Sequence, residues 1–345
     1  MAQLACGLSA SSSRVFEAGQ ADGLAVVALN AEALLVCYTQ VAGAFSGVCK
    51  IVTRSASQLS TGIPALIGTH AMRYIAVARL SSTQAVACFK NIGRDTGECA
   101  GISHASATNS LRITSPVTFT STVSDVSVAS FGAGVSAICF RDDANLGHGT
   151  CKLMSSSENL SVPSQTFIFS RASTRNIVVT SVGPNAGIVC YRDSDNADVA
   201  TCAALSLVSS NASSATPNSL SFGMAKVVHH TEYADYLTLA AFDSSWAIVC
   251  YGRGCMCSAM SLGSSLLPGA SSAPQLSIGT ALVVSHHISS RFSYKSVNIL
   301  DAFRAIVCFN DDSAAAANTC STVTRSGGAL FLSETLIVSA CWRRT

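Results

Sequence analysis

The feature that most constrains this fold is a phrase repeated along the whole chain. An apolar run ends in a cysteine followed at once by an aromatic residue, and after a polar loop a second cysteine opens another apolar run. Seven cysteine–aromatic dipeptides begin at Cys37, Cys88, Cys139, Cys190, Cys250, Cys308 and Cys341. They are 51, 51, 51, 60, 58 and 33 residues apart, and short apolar segments that recur in this way predict a series of similar β-units.

The cysteines that follow the first six dipeptides predict a pairing scheme. We expect disulfides Cys37–Cys49, Cys88–Cys99, Cys139–Cys151, Cys190–Cys202, Cys250–Cys257 and Cys308–Cys320. Cys257 is preferred to Cys255 because the segment Cys257-Ser-Ala-Met-Ser-Leu resembles Cys202-Ala-Ala-Leu-Ser-Leu, so Cys255 is predicted to be a free thiol. Cys341 has no cysteine after it and Cys6 has none before it, so we expect these two to pair.

Disulfides explain the fifteen cysteines better than zinc does. The two cysteines of each pair flank a loop between adjacent strands, where opposed residues are within disulfide range. Structural zinc sites use closely spaced cysteine pairs, two pairs per ion, and only Cys255-Met-Cys257 is closely spaced here. Disulfides on this scale indicate an oxidising compartment, either extracellular (secreted) or an organelle lumen.

Pairing of the two chain ends predicts a closed ring. The fold class we predict is all-β: a seven-bladed β-propeller of four-stranded antiparallel blades with about one disulfide per blade. Residues 1–345 would form one domain, with the seventh blade shared between about 1–20 and 327–345. The interval from Cys308 to Cys341 is short, so the outer strand of blade six is expected to be absent near Ser326-Gly327-Gly328. Either this blade is short or roughly 18 residues are missing there, and the second alternative is preferred because residues 329–342 resemble a normal inner pair of strands.

The repeat resembles the roughly 50-residue propeller repeats of secreted and surface proteins, with a layout similar to that of sialidase repeats. The order of inner strand, turn, cysteine–aromatic, aspartate and second cysteine is clearest at Ile188-Val-Cys-Tyr-Arg-Asp193. The Asp-box of sialidases is absent, and neither an arginine triad nor a Tyr/Glu pair can be placed. The resemblance therefore implies an architecture without an activity.

Composition excludes several functions. Only 12% of the residues are charged and the net charge is +2, so there is no basic surface for nucleic acid. The most apolar stretch, residues 23–38, is interrupted by Asn30 and Glu32, so we expect no membrane span. No catalytic motif stands out, and we expect neither an enzyme nor a cofactor.

Candidate site residues are few. The doublets His229-His230 and His286-His287 are weak metal candidates, and solvated polar turns are the preferred interpretation. Acidic hairpins at Asp142-Asp143, Asp193 with Asp195, and Asp311-Asp312 predict turns rather than calcium sites. Candidates for ligand binding are Tyr233, Tyr236, Phe292 and Tyr294. Asn159 and Asn211 lie in glycosylation sequons, whose occupancy the sequence leaves open.

These features favour a non-enzymatic scaffold or protein-interaction module that serves as an accessory subunit of a larger extracellular or lumenal assembly. One version is a photosynthetic membrane complex, which would place the chain in the thylakoid lumen. The alternative is a lectin-like propeller that binds carbohydrate or another surface ligand, and a glycan-cleaving enzyme ranks third. The sequence predicts protein partners without identifying them.

Overall fold

The computed structural model of this chain describes residues 17, 19–41, 44–55, 58–132, 134–155, 160–208, 219–229, 234–252, 254–263, 274–285, 295–311 and 317–339. Within these ranges the fold is all-β, with one turn of 3-10 helix at Asp143–Asn145. None of the described helical segments is long or apolar enough to cross a membrane.

The chain divides into two compact units. The N-terminal unit holds the described residues of 17–185 and 207–221, and the C-terminal unit holds those of 186–206 and 222–339.

The strands of the N-terminal unit are β1 (Ala21–Ala28), β2 (Ala33–Gln40), β3 (Ser46–Ser55), β4 (Gln58–Thr61), β5 (Ala65–Arg79), β6 (Gln84–Asn91), β7 (Thr96–Ala105), β8 (Ser110–Ile113), β9 (Val117–Ser121), β10 (Val123–Gly132), β11 (Val135–Asp142), β12 (His148–Ser155) and β13 (Phe167–Ser181). Those of the C-terminal unit are β14 (Ala186–Asp193), β15 (Val199–Val208), β17 (Lys226–Val227), β18 (Thr238–Ala241), β19 (Trp246–Tyr251), β20 (Met256–Leu262), β21 (Leu276–Val283), β22 (Lys295–Ile299), β23 (Arg304–Asp311), β24 (Ala317–Ser326) and β25 (Ala329–Ser339). The residues of β16 (Ser219–Phe222) and the end of β15 fall on both sides of the division.

Four-stranded antiparallel sheets make up the N-terminal unit. In the first, β1, β2 and β3 pair in order, and the first half of β5 pairs with β3. The second half of β5 then pairs with β6, so this long strand is outermost in one sheet and innermost in the next. The second sheet continues through β7 to β8 and β9, and the third contains β10 to β13.

The C-terminal unit repeats the same plan. Strands β14 and β15 form a hairpin, and β17 pairs with β15. Strands β18 to β21 form one four-stranded antiparallel sheet, and β22 to β25 form another. The predicted all-β fold of four-stranded antiparallel sheets is therefore confirmed.

Hydrophobic side chains pack between neighbouring sheets in each unit. In the N-terminal unit one cluster joins the first and second sheets and another joins the second and third. Phe119 and Phe140 belong to the latter, with ring centroids 5.2 Å apart. Gly97 faces Phe119 so closely that a Cβ atom would collide with its ring, so a glycine is required where the outer strand crosses the cysteine hairpin.

The last sheet corrects one sequence prediction. We expected residues 329–342 to be inner strands of a seventh blade and the outer strand of blade six to be absent. Instead β25 is the fourth strand of the β22–β25 sheet and pairs with β24 along its described length. The turn at Gly327-Gly328 explains this, because two glycines connect adjacent antiparallel strands directly. This sheet thus has four strands without any additional residues.

Candidate functional site

A row of backbone irregularities occurs on strands β1, β5, β10 and β13 of the N-terminal unit. Gly23, Tyr74, Asp125 and Asn176 have φ values of +57°, +54°, +50° and +49° and lie 51 residues apart. The first three coincide with register shifts in the pairing of β1, β5 and β10 with their partners. We call these four residues the bulge row.

In the bulge row the backbone conformation is the same at each position, whereas the side chain differs. A positive φ is uncommon for residues other than glycine, and holding tyrosine or aspartate there costs free energy. The conformation nevertheless recurs while the side chain changes from strand to strand. β-Bulges re-aim side chains and are frequent beside functional sites. A constant backbone with variable side chains therefore indicates a recognition surface.

The four strands that carry the bulge row lie next to one another. Strand β10 contacts both β5 and β13, and β1 contacts β5. The backbone N–H of Val179 on β13 donates to Ser127 Oγ on β10 over 3.1 Å. At the bulge level, the backbone N–H of Asn176 donates to the Asp125 carboxylate. Successive bulge residues are thus neighbours across strands.

Asp125 has an unusual electrostatic environment. Burial raises the pKa of its carboxyl above 3.8, and this effect exceeds the lowering by the Asn176 N–H and by the charges of Arg141 and Arg175. Burial and the negative charge of Asp125 also raise the pKa of Tyr74. Tyr74 nevertheless remains 41% exposed, so its ring is available to a ligand.

Arg141 anchors the neighbouring cysteine hairpin to this site. Its Nε donates to Asp143 Oδ1 over 2.5 Å, and its Nη1 donates to Ser173 Oγ and to the carbonyl of Thr174 over 3.3 and 3.1 Å. Two residues further along the chain is Asn176. The guanidinium therefore holds the bulge of β13 in a fixed position relative to the hairpin.

The C-terminal unit contains a related arrangement. Tyr236 has a φ of +54° and lies just before β18. Arg192 donates to Asp198 Oδ1 and Asp235 Oδ1 over 2.7 and 2.8 Å, and the Ala234 N–H donates to the carbonyl of Asp198 over 3.0 Å. Here too an arginine after a cysteine–aromatic pair fixes the segment that presents a bulged tyrosine, which is 37% exposed.

The cysteines occupy the predicted positions in the described part of the chain. Disulfides join Cys37–Cys49, Cys88–Cys99, Cys139–Cys151, Cys190–Cys202, Cys250–Cys257 and Cys308–Cys320, with Cα–Cα distances of 4.0–4.1 Å. Cys6 and Cys341 lie outside the described residues.

Cys255 is a free, buried thiol in the turn between β19 and β20. It has a φ of +43°, and its carbonyl accepts the N–H of Val284 over 3.0 Å. Burial raises the pKa of the thiol to about 12, although the charge of Lys295 acts in the opposite direction. A thiol in this environment is an unreactive part of the core.

The other predicted candidates are only partly covered. His229 lies 6.1 Å from Tyr251, measured between ring centroids. Among the residues that the structure describes, no group of three or more metal-ligating side chains comes together. Outside the described residues are His230, His286, His287, Tyr233, Phe292, Tyr294, Asn159 and Asn211.

The acidic hairpins that are described behave as turns. Asp143 accepts from Arg141, as above, and Asp193 Oδ1 accepts the backbone N–H of Asp195 over 3.2 Å. None of the four bulge-row residues was among the predicted ligand-binding residues, whereas the related Tyr236 of the C-terminal unit was. Aligning the repeats at their 51-residue interval would have placed Gly23 beside Tyr74 and Asp125, and the glycine is the signal for a positive φ.

Comparisons with solved structures support the same fold. The chain is similar to a protein from Lactobacillus plantarum, with a TM-score of 0.62 and 13% identity over 94% of this chain and 87% of that one. It is also similar to Sqt1 from Chaetomium thermophilum (TM-score 0.54, 10% identity, 92% and 87% covered) and to AofleA from Arthrobotrys oligospora (0.53, 6%, 93% and 90%). No protein-family model and no curated protein sequence matches the chain. The likeness supports a β-propeller-like fold.

Proposed function

We propose that this chain is a non-enzymatic binding module that holds a partner protein through the bulge row, as an accessory subunit of a larger extracellular or lumenal assembly. The observation that carries the proposal is the recurrence of one backbone conformation at Gly23, Tyr74, Asp125 and Asn176 with a different side chain each time. The remainder of the repeat, with its cysteines and core aromatics, is a scaffold that presents these residues.

The chemistry of the row suits recognition. Acid–base or nucleophilic catalysis needs a reactive group activated by a neighbouring base. Two described cations close to the row are instead engaged in ion pairs with aspartates: Arg141 with Asp143, and Lys90 with Asp95 at 2.6 Å. Such contacts fix recognition groups in advance, which reduces the entropy lost on binding.

The architecture that we propose for this module is the complete propeller. Disulfide-linked four-stranded sheets would form the blades of a ring, closed between the two chain ends through Cys6 and Cys341. Because β25 is the fourth strand of the β22–β25 sheet, residues 329–339 do not supply inner strands to a further blade. The six disulfides are consistent with an oxidising environment, in which such a ring would persist.

Site-specific photo-crosslinking tests the proposed function. A photoreactive amino acid is placed at Tyr74 or, as a control, at Ile168, which is equally exposed but lies outside the bulge row. The chain is expressed in the oxidising compartment of its own host. We expect one discrete protein adduct from position 74 and none from position 168. Equal labelling at both positions, or none at 74, would contradict a protein-binding role for the row.

A lectin-like function is the second candidate. It is favoured by the exposed ring of Tyr74 beside the carboxyl of Asp125, since sugars are bound by aromatic faces together with hydrogen-bonding groups. Retention of the wild-type chain on a glycan column, with loss of retention in Tyr74→Ala and no adduct in the crosslinking experiment, would favour this function instead.

A further inference from the structure

We infer that the bulge row of the N-terminal unit takes an acidic, extended peptide segment, with Arg73 and Arg175 pairing with its carboxylates and Tyr74 packing against it. This deepens the proposed function, on which it rests, by naming the chemistry of the partner. Three features carry it: two exposed arginines that pair with no acid in the described part of the chain, an exposed tyrosine between acidic and basic groups, and the spacing of the strands.

Arg73 and Arg175 are the available cations of this surface. Each immediately precedes a bulge residue, Tyr74 or Asn176, and each is exposed. Neither forms a salt bridge with any residue that the structure describes. Their charges act on the site, since Arg73 opposes the raised pKa of Tyr74 and Arg175 opposes that of Asp125. Arginine is well suited to bind carboxylates through two parallel hydrogen bonds.

The neighbouring charges leave a positive surplus. Arg141 is paired with Asp143, and Lys90 is paired with Asp95. Between Arg73 and Arg175, Asp125 is the remaining acid that the structure describes, and burial raises the pKa of its carboxyl. A second acid, Asp22, is exposed on β1, which contacts β5 and lies outside the stretch from β5 to β13. An acidic ligand that extends from β5 to β13 therefore meets two guanidinium groups that pair with no described acid, and Asp125 opposes it between them.

The spacing of the strands favours an extended ligand over a small anion. Arg73 lies on β5 and Arg175 on β13, and β10 lies between and contacts both. Packed sheets are about 10 Å apart, so the two guanidinium groups are separated by roughly 10–20 Å. A single carboxylate or sulfate does not bridge that distance. An extended peptide advances about 3.3 Å per residue, so acidic residues about four to six positions apart would meet both arginines.

Tyrosine and arginine together also suit a protein partner. These residue types dominate the binding energy of protein interfaces, because they bury a large surface while keeping directed hydrogen bonds. Tyr74 offers its ring from a rigid bulge between the charged groups. A sulfated saccharide has similar charge, so it is the competitor that the test must exclude.

The test is the binding of a fluorescein-labelled oligoglutamate of about twelve residues, long enough to span the row, followed by fluorescence anisotropy at low salt. The critical variant is R73Q/R175Q. The matched control is R79Q/R112Q, which removes two exposed arginines of the same unit that pair with no described acid and lie away from the bulge row. We expect at least tenfold weaker binding in R73Q/R175Q and less than a twofold change in the control.

A second readout uses Asp125. Because its carboxylate opposes an acidic ligand, Asp125→Asn should bind oligoglutamate more tightly than the wild type at pH 7. Its affinity should also change less with pH than that of the wild type. The groups that act on Asp125 are Arg141, Arg175 and Asp143, together with the Asn176 N–H, and all are unchanged in this variant.

Three results would overturn the inference. Equal loss in both arginine double variants would show a non-specific charge effect. Absence of oligoglutamate binding to the wild type would remove the acidic-peptide partner. If the wild type binds a heparin oligosaccharide but not the peptide, and R73Q/R175Q weakens that binding, the surface would be assigned to a sulfated saccharide. If a protein still crosslinks at position 74 while oligoglutamate neither binds nor competes, the proposed function stands and only this inference fails.

Discussion

The cysteine hairpins and the bulge row repeat at the same interval but differ in what they keep constant. In the hairpins both the backbone and the side chains recur, as in Cys139–Cys151 and Cys190–Cys202, which lie directly opposite in the strand register. In the bulge row only the backbone recurs, and tyrosine, aspartate and asparagine replace one another. Constant side chains are those that the fold needs, and variable ones at a constant backbone are available for binding.

Each region therefore predicts a different response to mutation. Substitutions in the hairpins should lower stability, whereas substitutions in the bulge row should change stability little unless they affect the backbone.

The largest effect is expected from the core aromatics that follow each first cysteine. Phe140 is fully buried against Phe119. We expect Phe140→Ala to lower the free energy of unfolding by about 3–5 kcal/mol, because it leaves a cavity between two sheets. Urea denaturation measures this loss. The exposed residue Leu66 provides the control, since Leu66→Ala should change stability by less than about 0.5 kcal/mol. Similar losses in both variants would contradict the assignment of a core role to Phe140.

Removal of a disulfide should come next. Cys139 and Cys151 are 12 residues apart, and we expect C139A/C151A to cost about 3 kcal/mol in the chain-entropy description. Cys250 and Cys257 are only 7 residues apart, so C250A/C257A should cost roughly 0.5 kcal/mol less. Denaturant titrations of both variants under the same conditions compare the two losses. A smaller loss for the longer loop would contradict the entropic explanation.

A smaller effect is expected from glycine substitutions, which should be favoured over valine in the bulge row and disfavoured at ordinary strand positions. At Tyr74 the positive φ favours glycine, so Tyr74→Val should be less stable than Tyr74→Gly by about 1–2 kcal/mol. At Ile168, within β13, the order should reverse, with Ile168→Gly less stable than Ile168→Val by about 1 kcal/mol. Thermal unfolding of the four variants gives both differences. The same order at both positions would show that the bulge is not required.

The smallest effect concerns the pH dependence of stability and distinguishes Asp125 from Glu17. The pKa of Glu17 is lowered from 4.5 to about 2, chiefly because Tyr38 Oη donates to it over 2.6 Å, so its stabilising contribution is present above pH 4.5 and lost as the pH falls through about 2. The pKa of Asp125 is raised, so its contribution is present below pH 3.8 and lost as the pH rises through the folded-state value.

Glu17→Gln should therefore reduce the loss of stability that occurs as the pH falls. Asp125→Asn should reduce the loss of stability that occurs as the pH rises. Denaturant midpoints measured from pH 2 to pH 7 follow both. The free energy of unfolding at pH 7 minus that at pH 2 should become smaller in Glu17→Gln and larger in Asp125→Asn. A change of this difference in the same direction in both variants would refute the assigned environments.

Much of the scaffold was predictable because its residues are constrained by type. A cysteine pair flanking a polar loop predicts opposed strands, and the alternation of apolar residues predicts the hairpin register. The bulge row was not predicted, because a positive φ at Tyr74 or Asp125 follows from the geometry of the strand and not from the residue type. Gly23 carries the only direct sequence signal for that conformation.

The assignment of β25 failed for a different reason. The prediction used the interval between Cys308 and Cys341 and gave less weight to the local turn at Gly327-Gly328. The pairing of β25 with β24 shows that turn chemistry determines the strand partner there. Arg73 and Arg175 were likewise missed, because a sequence does not show which charged residues lack an ion-pair partner.

The central claim is that the repeat is a disulfide-locked blade and that the ring is closed through Cys6 and Cys341. Intact mass after alkylation, measured in denaturant because Cys255 is buried, tests it most directly. Our account predicts one alkyl group on the unreduced chain and fifteen after reduction. Three groups on the unreduced chain would keep the six described disulfides and contradict closure through Cys6–Cys341, and fifteen would contradict the disulfide-locked repeat itself.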